Sequence, residues 1–433
     1  TFFLINCNGA KANNVTVTGN STVGNIVRTG ATGQLTCYTH TGGTSTGGIH
    51  LVSNNNFSNI ELGGSGIFVG IDCRSNRNNL PNNIVTHNTI SNIISGGQVK
   101  GILQSYGAAG SSINNNSISV LINTNGSTGT NNTVNGIMIG SNGASLSFTC
   151  YNNSISELRG AGPVYGIWND KGESNHIYNN NITGLRNNTT SIGPLYGMIL
   201  NGGTTTTVYN NFISDLTAPT STGDFVIMGV YVAGGTNVYF YNNTIYLNAT
   251  TSATTFGTAG VYAKTNMNFE MRNNIIVNTS QRAGNTGFTV AYRRFDNTLY
   301  SYSNASDNND FYVSSNSPIG NYIYCEGSST TPVTAKDSIL TDYQTRMYPR
   351  ELATFNELPP FVNVTGTPID LHLKNTIATS CESGGSAISV PAITTDYDNE
   401  PRYPNTGYPN SVNPAYAATQ PDVGADEFGG IHA

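Results

Sequence analysis

The chain has 433 residues, 37% of them hydrophobic, with 18 Lys and Arg against 24 Asp and Glu and a formal net charge of −6. A charged fraction of 10%, far below the usual quarter, and the lack of any basic run exclude a nucleic-acid binder held through phosphate contacts. No apolar stretch reaches the roughly 18 residues of a membrane-spanning helix, so no membrane span is expected.

The first predicted element is the apolar run Phe2-Phe3-Leu4-Ile5, too short for the core of a signal peptide. A chain that opens on Thr1 reads as a processed product or a fragment, its leader already gone. The abrupt apolar start implies that earlier residues or another molecule cover the first coil. A phrase of the form Asn-Asn-x-Ile then recurs about every 31 residues, a period that signals a stacked architecture. It is divergent at Asn55-Asn56-Phe57 and Asn88-Thr89-Ile90, and clear from Asn115-Asn116-Ser117-Ile118 through Asn152, Asn179, Asn210, Asn242 and Asn273 to Asn308-Asn309-Asp310-Phe311.

Two further phrases keep step. An alternating apolar stretch precedes each Asn pair, as in Phe148-Thr149-Cys150-Tyr151 and Val238-Tyr239-Phe240-Tyr241. A Gly followed by an aliphatic comes later, as in Gly101-Ile102, Gly136-Ile137, Gly166-Ile167, Gly197-Met198, Gly229-Val230 and Gly260-Val261. Each phrase has period two over four to six residues and none has helical spacing, so each predicts a strand. Asn tolerates the left-handed backbone of a sharp corner. Identical Asn residues stacked about 4.8 Å apart can also hydrogen-bond in a ladder. The Asn residues are therefore read as structural.

The Asn-Asn-x-Ile phrase at this spacing resembles the right-handed parallel β-helix repeats of the pectate-lyase-like superfold, over roughly residues 13–315. The resemblance implies an all-β fold of three short strands per coil and about nine to ten coils. It does not choose among polysaccharide-cleaving enzymes, tailspikes, adhesins and inert surface proteins. Residues 1–315 form the predicted helix domain.

Six cysteines occur without metal-ligand spacing, so no zinc site is read from them. Cys7, Cys37 and Cys73 are about one coil apart and are expected to stack on one face. Cys325 and Cys381 lie outside the repeat and are the candidate disulfide of an exported protein. The abundant Asn-x-Ser/Thr sequons follow from composition. Asp337-Ser338-Ile339 is similar to a short O-glycosylation signal of some Gram-negative surface proteins.

Candidate chemistry can be followed by register. Glu157 and Asp215 occupy the same place relative to Ile155 and Ile213, two coils and about 9–10 Å apart, near the upper spacing of an inverting glycosidase. Arg159 and Arg186 are equivalent on successive coils and need an anion or carboxylate between them. The segment Trp168-Asn169-Asp170-Lys171-Gly172-Glu173 holds the only Trp and the densest charge of the helix. Trp168, Asp170, Lys171, Glu173, Arg159 and Arg186 are thus the candidate glycan-binding residues, and Glu157 and Asp215 the candidate catalytic pair. The alternative is local ion pairs beside a solvated loop.

Beyond residue 315 prolines and tyrosines accumulate and the rhythm stops, so residues 316–433 are expected to be an irregular cap over the open end of the solenoid. A helix is predicted from Asp337 as N-cap through Met347. The series Ile369-Asp370-Leu371-His372-Leu373, Ser380-Cys381-Glu382-Ser383-Gly384-Gly385, Asp396-Tyr397-Asp398-Asn399-Glu400-Pro401-Arg402 and Pro421-Asp422-Val423-Gly424-Ala425-Asp426-Glu427-Phe428 resembles the tail of exported bacterial choice-of-anchor proteins. That resemblance implies closure of the solenoid and a surface location. Asn399 departs from its usual Gly. Asp396, Asp398 and Glu400 alternate as calcium ligands can, or serve a turn by pairing with Arg402 and capping backbone N–H groups. Calcium is the one cofactor the sequence suggests.

Together these readings describe a secreted or bacterial cell-surface β-solenoid with a structural or adhesive role, as in an extracellular filament. Self-association, other surface proteins and glycans are the open partners. The alternative is a polysaccharide lyase, a glycoside hydrolase or a non-catalytic glycan binder on the same scaffold.

Overall fold

The computed structural model describes residues 1–7, 14–30, 32–41, 47–74, 81–127, 129–140, 147–187, 193–264, 267–284, 286–314, 320–327, 335–411, 413, 415 and 417–433. The three phrases of each coil are three strands, and like strands of successive coils pair in parallel. The protein is a parallel β-solenoid with three faces. The first sheet runs from Phe2–Cys7 through Val134–Ile139, Val164–Asn169, Leu195–Leu200, Gly223–Val232, Phe256–Ala263 and Thr289–Arg294 to Asn321–Glu326. The second runs from Asn14–Thr18 to Asn268–Arg272 in nine strands, and the third from Ile26–Arg28 to Asp310–Val313. Solenoid pairing therefore extends past residue 315, where the sequence rhythm ends.

The two residues of each Asn pair do different work. The first takes the left-handed corner between the second and third sheets: Asn115, Asn152, Asn179, Asn210, Asn242, Asn273 and Asn308 have φ of 50–57°. His87 fills that place (φ 55°) in the coil whose phrase lacks the first Asn. The second points inward and forms a ladder through Asn20, Asn55, Asn88, Asn116, Asn153, Asn180, Asn211, Asn243, Asn274 and Asn309. Each Nδ2 donates to the next Oδ1 at 2.8–3.1 Å. The same Oδ1 accepts the backbone N–H of the preceding Asn, so a buried polar side chain is paired on both sides. The last, Asn309, donates to both oxygens of Glu351, at 3.3 and 3.1 Å.

The Gly-aliphatic phrase has an equally local cause. Gly70, Gly101, Gly136, Gly166, Gly197, Gly229 and Gly260 form one column in the first sheet, opposite the anchor Ile of the third. A Cβ on Gly166 would stand 2.5 Å from the Gly197 carbonyl oxygen and 2.6 Å from Cγ2 of Ile182. No side chain fits in these coils, so glycine and isoleucine recur as complements from Gly70 to Gly260, with Cys37 and Ala291 taking the place in the flanking coils.

A second left-handed position lies in the third sheet, at Asn59, Asn92, Val120, Glu157, Gly184 and Asp215. Short polar residues or Gly suit it. Val120, a β-branched residue at φ 53°, is the strained exception.

At the far end the inward residues become aromatic. Tyr292, Tyr302, Phe311 and Tyr324 pack beneath Tyr343 and Met347 of the helix Leu340–Met347. The helix is where the sequence places it, but its N-cap is Ile339. Asp337 is instead bonded to Arg346, with Nη2 donating to Oδ1 at 2.9 Å. The tail beyond this helix reaches further than the end of the solenoid. It folds back along the corners, receiving bonds from Asn308 to Gly384 O, Asn273 to Ser386 O, Asn210 to Thr395 O and Asn179 to Tyr397 O at 2.7–3.0 Å. Its Phe361, Leu371, Leu373, Val423 and Phe428 cover Phe212, Tyr246, Ile275 and Val277 on the outside of the third sheet.

This closure sets a pH dependence. Burial pushes the Glu351 carboxyl up to about 7, against the lowering effect of bonds from Thr354, Tyr302 and Asn309. Burial likewise raises Asp310 and Asp422. A glutamate in the unfolded chain releases its proton near 4.5, so between there and about pH 7 the folded state holds more protons and stability falls as pH rises. Glu351 alone is worth roughly 3 kcal/mol across that window. Thermal melting is expected at a higher temperature at pH 4.5 than at pH 7.5, and Glu351→Gln should flatten the difference. A melting temperature that rises with pH would contradict this assignment.

Candidate functional site

The outward residues of the first sheet flank the glycine column, one residue before each Gly and two after. In the middle coils five of these eight positions are aromatic. The column before Gly reads Tyr165, Tyr196, Met228, Ala259, and the column after reads Trp168, Ile199, Tyr231, Tyr262. They form a cluster separate from the core, joined by Phe225 and Phe295. Tyr165 meets Trp168 edge-on at 5.2 Å, Tyr196 meets Tyr231 edge-on at 5.4 Å, and Tyr231 stacks on Tyr262 at 5.2 Å. Burial raises the phenols of this strip, Tyr165 to about 12, so they remain neutral donors. The Trp168 indole N–H is shielded and has no hydrogen-bond partner among the described residues. One end of the strip is closed by Arg293, whose guanidinium lies 3.9 Å over Phe225 and 2.7 Å from Asp224.

The candidates read from sequence are distributed around this strip. Trp168 belongs to the strand Val164–Asn169, facing outward within the strip, and not to a loop. Asp170, Lys171 and Glu173 follow in the turn to the second sheet, with Lys171 and Glu173 exposed and Asp170 accepting from Asn201 Nδ2 at 2.8 Å. Glu157, Arg159, Arg186 and Asp215 lie across the opposite margin, on the third sheet. Arg159 and Arg186 are register partners. Each has its own carboxylate: Arg159 pairs with Glu157, and Arg186 donates to Asp215 Oδ2 at 2.5 Å and to its backbone oxygen at 2.6 Å. The left-handed backbone at this register position suits Asp215, a short polar residue, while Glu157 takes it without that advantage.

Cys325 and Cys381 are free, buried thiols in two different clusters, and no bridge joins them. One lies at the last strand of the first sheet and the other under the folded-back tail. Cys7 and Cys73 stand in register on either side of His40, while Cys37 belongs to the glycine column, so the three do not stack. Nor do Asp396, Asp398 and Glu400 converge. Asp396 is buried and accepts the backbone N–H groups of Glu400 at 2.8 Å and Glu427 at 3.0 Å. Asp398 bonds His372 Nε2 at 2.8 Å, and Glu400 is exposed. The bonds to Asp398 and Asp370 hold His372 up at about 9 against the opposing effect of burial.

The aromatic strip had a sequence signal that the Asn-Asn-x-Ile repeat does not show. Tyr-Gly-Ile-Trp, Tyr-Gly-Met-Ile, Met-Gly-Val-Tyr and Ala-Gly-Val-Tyr put large groups at fixed offsets from the column Gly. No family model, curated protein or solved structure matches the chain. Among the described residues, no helix is long and apolar enough to cross a membrane. Fold and site together define a parallel β-solenoid with an aromatic strip along one sheet.

Proposed function

We propose that this protein is an exported, adhesive β-solenoid of the bacterial surface that holds a glycan chain along the aromatic strip of its first sheet. The observation that carries the reading is the repetition of Tyr165, Tyr196, Trp168, Tyr231 and Tyr262 at two fixed coil positions. Trp168 and Tyr231 are the partly exposed rings of this strip, seated on the buried Tyr165, Tyr196 and Tyr262, and they offer apolar contacts to the CH faces of sugar rings. Asp170, Lys171 and Glu173 at one margin supply polar contacts. The low charge of the chain and its Asn-, Thr- and Gly-rich composition suit a surface protein. Binding without turnover is favoured over cleavage, because Glu157 and Asp215 are each engaged by an arginine and lie on another sheet.

Affinity electrophoresis in gels containing neutral or acidic polysaccharides tests this reading. The protein is expected to be retarded by at least one of them, and Trp168→Ala or Tyr231→Ala to weaken retardation at least tenfold with the melting temperature little changed. Equal retardation of parent and variants would move the ligand off the strip, and release of reducing ends would restore the enzymatic alternative.

A further inference from the structure

The folded-back tail carries a second cluster, independent of the strip. His372 lies on the strand Asp370–Leu373, paired with Phe361–Asn363. The Asp370 carboxylate is 2.5 Å from His372 Nδ1 and also accepts the His372 backbone N–H at 3.1 Å. That contact turns Nε2 toward Asp398, whose Oδ2 is 2.8 Å away. Phe212 and Tyr397 wall the ring edge-on at 5.0 and 5.9 Å. Asp426 comes from the far end of the tail, its Oδ2 held by the Leu373 backbone N–H at 3.1 Å. One donor atom from each of His372, Asp398 and Asp426 falls within 4.8 Å of the other two.

A carboxylate behind one imidazole nitrogen, with the other nitrogen facing two more carboxylates, is the relation that orients and strengthens a metal-bound histidine. We propose that His372 Nε2, Asp398 and Asp426 form a binding site for a divalent zinc-like cation, with Asp370 positioning the imidazole from the outer side. One nitrogen and two carboxylate oxygens suit zinc or a neighbouring transition ion. They suit calcium poorly, since it asks for six to eight oxygens. Asp398 also lines a cleft of about 210 Å³ with Ser154, Asn179, Asn181, Tyr397 and Asn399, so the site opens to solvent on that side. His372, Asp398 and Asp426 lie on three separate stretches of the tail, and Asn179 Nδ2 already bonds Asp396 O at 3.1 Å beside them. The cation therefore ties together the part of the tail that rests on the coil of Asn179.

The full chain, stripped with chelator, is to be titrated with zinc alone, with manganese and calcium in parallel, by calorimetry and by melting temperature. One equivalent of zinc is expected to bind and to raise the melting temperature. His372→Ala and Asp398→Asn should abolish both effects, and Asp370→Asn should weaken binding 10–100-fold. Asp398 is exposed, so its variant reports on binding where an interior variant would report on folding. Cobalt in place of zinc gives absorption bands sensitive to a nitrogen–oxygen ligand set. The proposal is overturned if zinc shows no stoichiometric binding, if binding persists in Asp398→Asn, or if the cobalt spectrum shows thiolate charge transfer from the cysteines.

Discussion

Asn211→Ala is expected to lower stability by about 3–5 kcal/mol, far more than an ordinary polar truncation. Asn211 Nδ2 donates at 2.9 Å to three acceptors, Asn243 Oδ1 and the carbonyls of Ile177 and Tyr209. Its Oδ1 receives the backbone N–H and Nδ2 of Asn180 at 3.0 and 2.9 Å. The site is fully buried, so water cannot take over the orphaned groups. Asn211→Asp is expected to do no better. A carboxylate still accepts from Asn180 but turns lone pairs toward Asn243 Oδ1 and two carbonyl oxygens. Urea unfolding of both variants, with exposed Ser154→Ala as a control within about 0.5 kcal/mol, checks this. A loss under 1 kcal/mol for Asn211→Ala would show that the ladder is ornamental.

Arg402→Ala should release the tail while the coils stay paired, at a cost of about 3–5 kcal/mol. Arg402 is buried, donating from Nη1 to Glu427 Oε2 at 3.0 Å and from Nη2 to Gly424 O at 2.8 Å and Asn210 Oδ1 at 3.1 Å. Truncation leaves the Glu427 carboxylate in the interior with no cation beside it. Glu427 also accepts the backbone N–H groups of Tyr403 and Asp422 at 2.8 and 3.0 Å, so its disturbance spreads through the tail. Arg402→Lys should recover little, because an ammonium cannot meet these three acceptors, and Asp422 O at 3.3 Å from Nη1, in a planar fork. Limited proteolysis is the readout. Cuts are expected between residues 376 and 420 at denaturant concentrations where the coils resist, and uniform resistance would count against this account. The double variant Arg402→Met with Glu427→Leu should be milder than Arg402→Ala, since it removes both charges together.

How far the sequence reveals this molecule depends on whether a cause is local to one coil. The Asn corner, the inward Ile and the column Gly each answer to neighbours one coil away, so they repeat and can be read. Glu157 against Asp215 and Arg159 against Arg186 were placed correctly in register by counting from the Ile of the same repeat. The local ion pairs of the alternative reading are present too, Arg159 with Glu157 and Arg186 with Asp215, although which carboxylate each arginine takes is a matter of rotamer and not of register. The tail is the opposite case. Asp396, Asp422 and Glu427 look alike as an acidic series, yet they cap backbone N–H groups far apart in sequence. That the tail lies along the flank was signalled only on the other surface. The outward positions of the third sheet, Ser117, Ser154 and Asn181 in early coils, become Phe212 and Ile275 where it lands. The expected bridge between Cys325 and Cys381 failed for the same reason, since nothing local tells two cysteines 56 positions apart that they occupy different layers.

The asparagine ladder also gives the solenoid a direction. All its amides donate the same way, so the row has a sense like an arrow, and Glu351 is the point where it stops. Asn309 Nδ2 shares its hydrogens between Met271 O and the two Glu351 oxygens, and no further Asn side chain follows in the row. Any interior rung presents the same acceptor above and the same donor below, so a coil could be spliced in or cut out between rungs without altering the chemistry of the joint. Below Glu351 there is no rung to copy. Coil number is thus editable along the row, and its terminus is written by a single side chain.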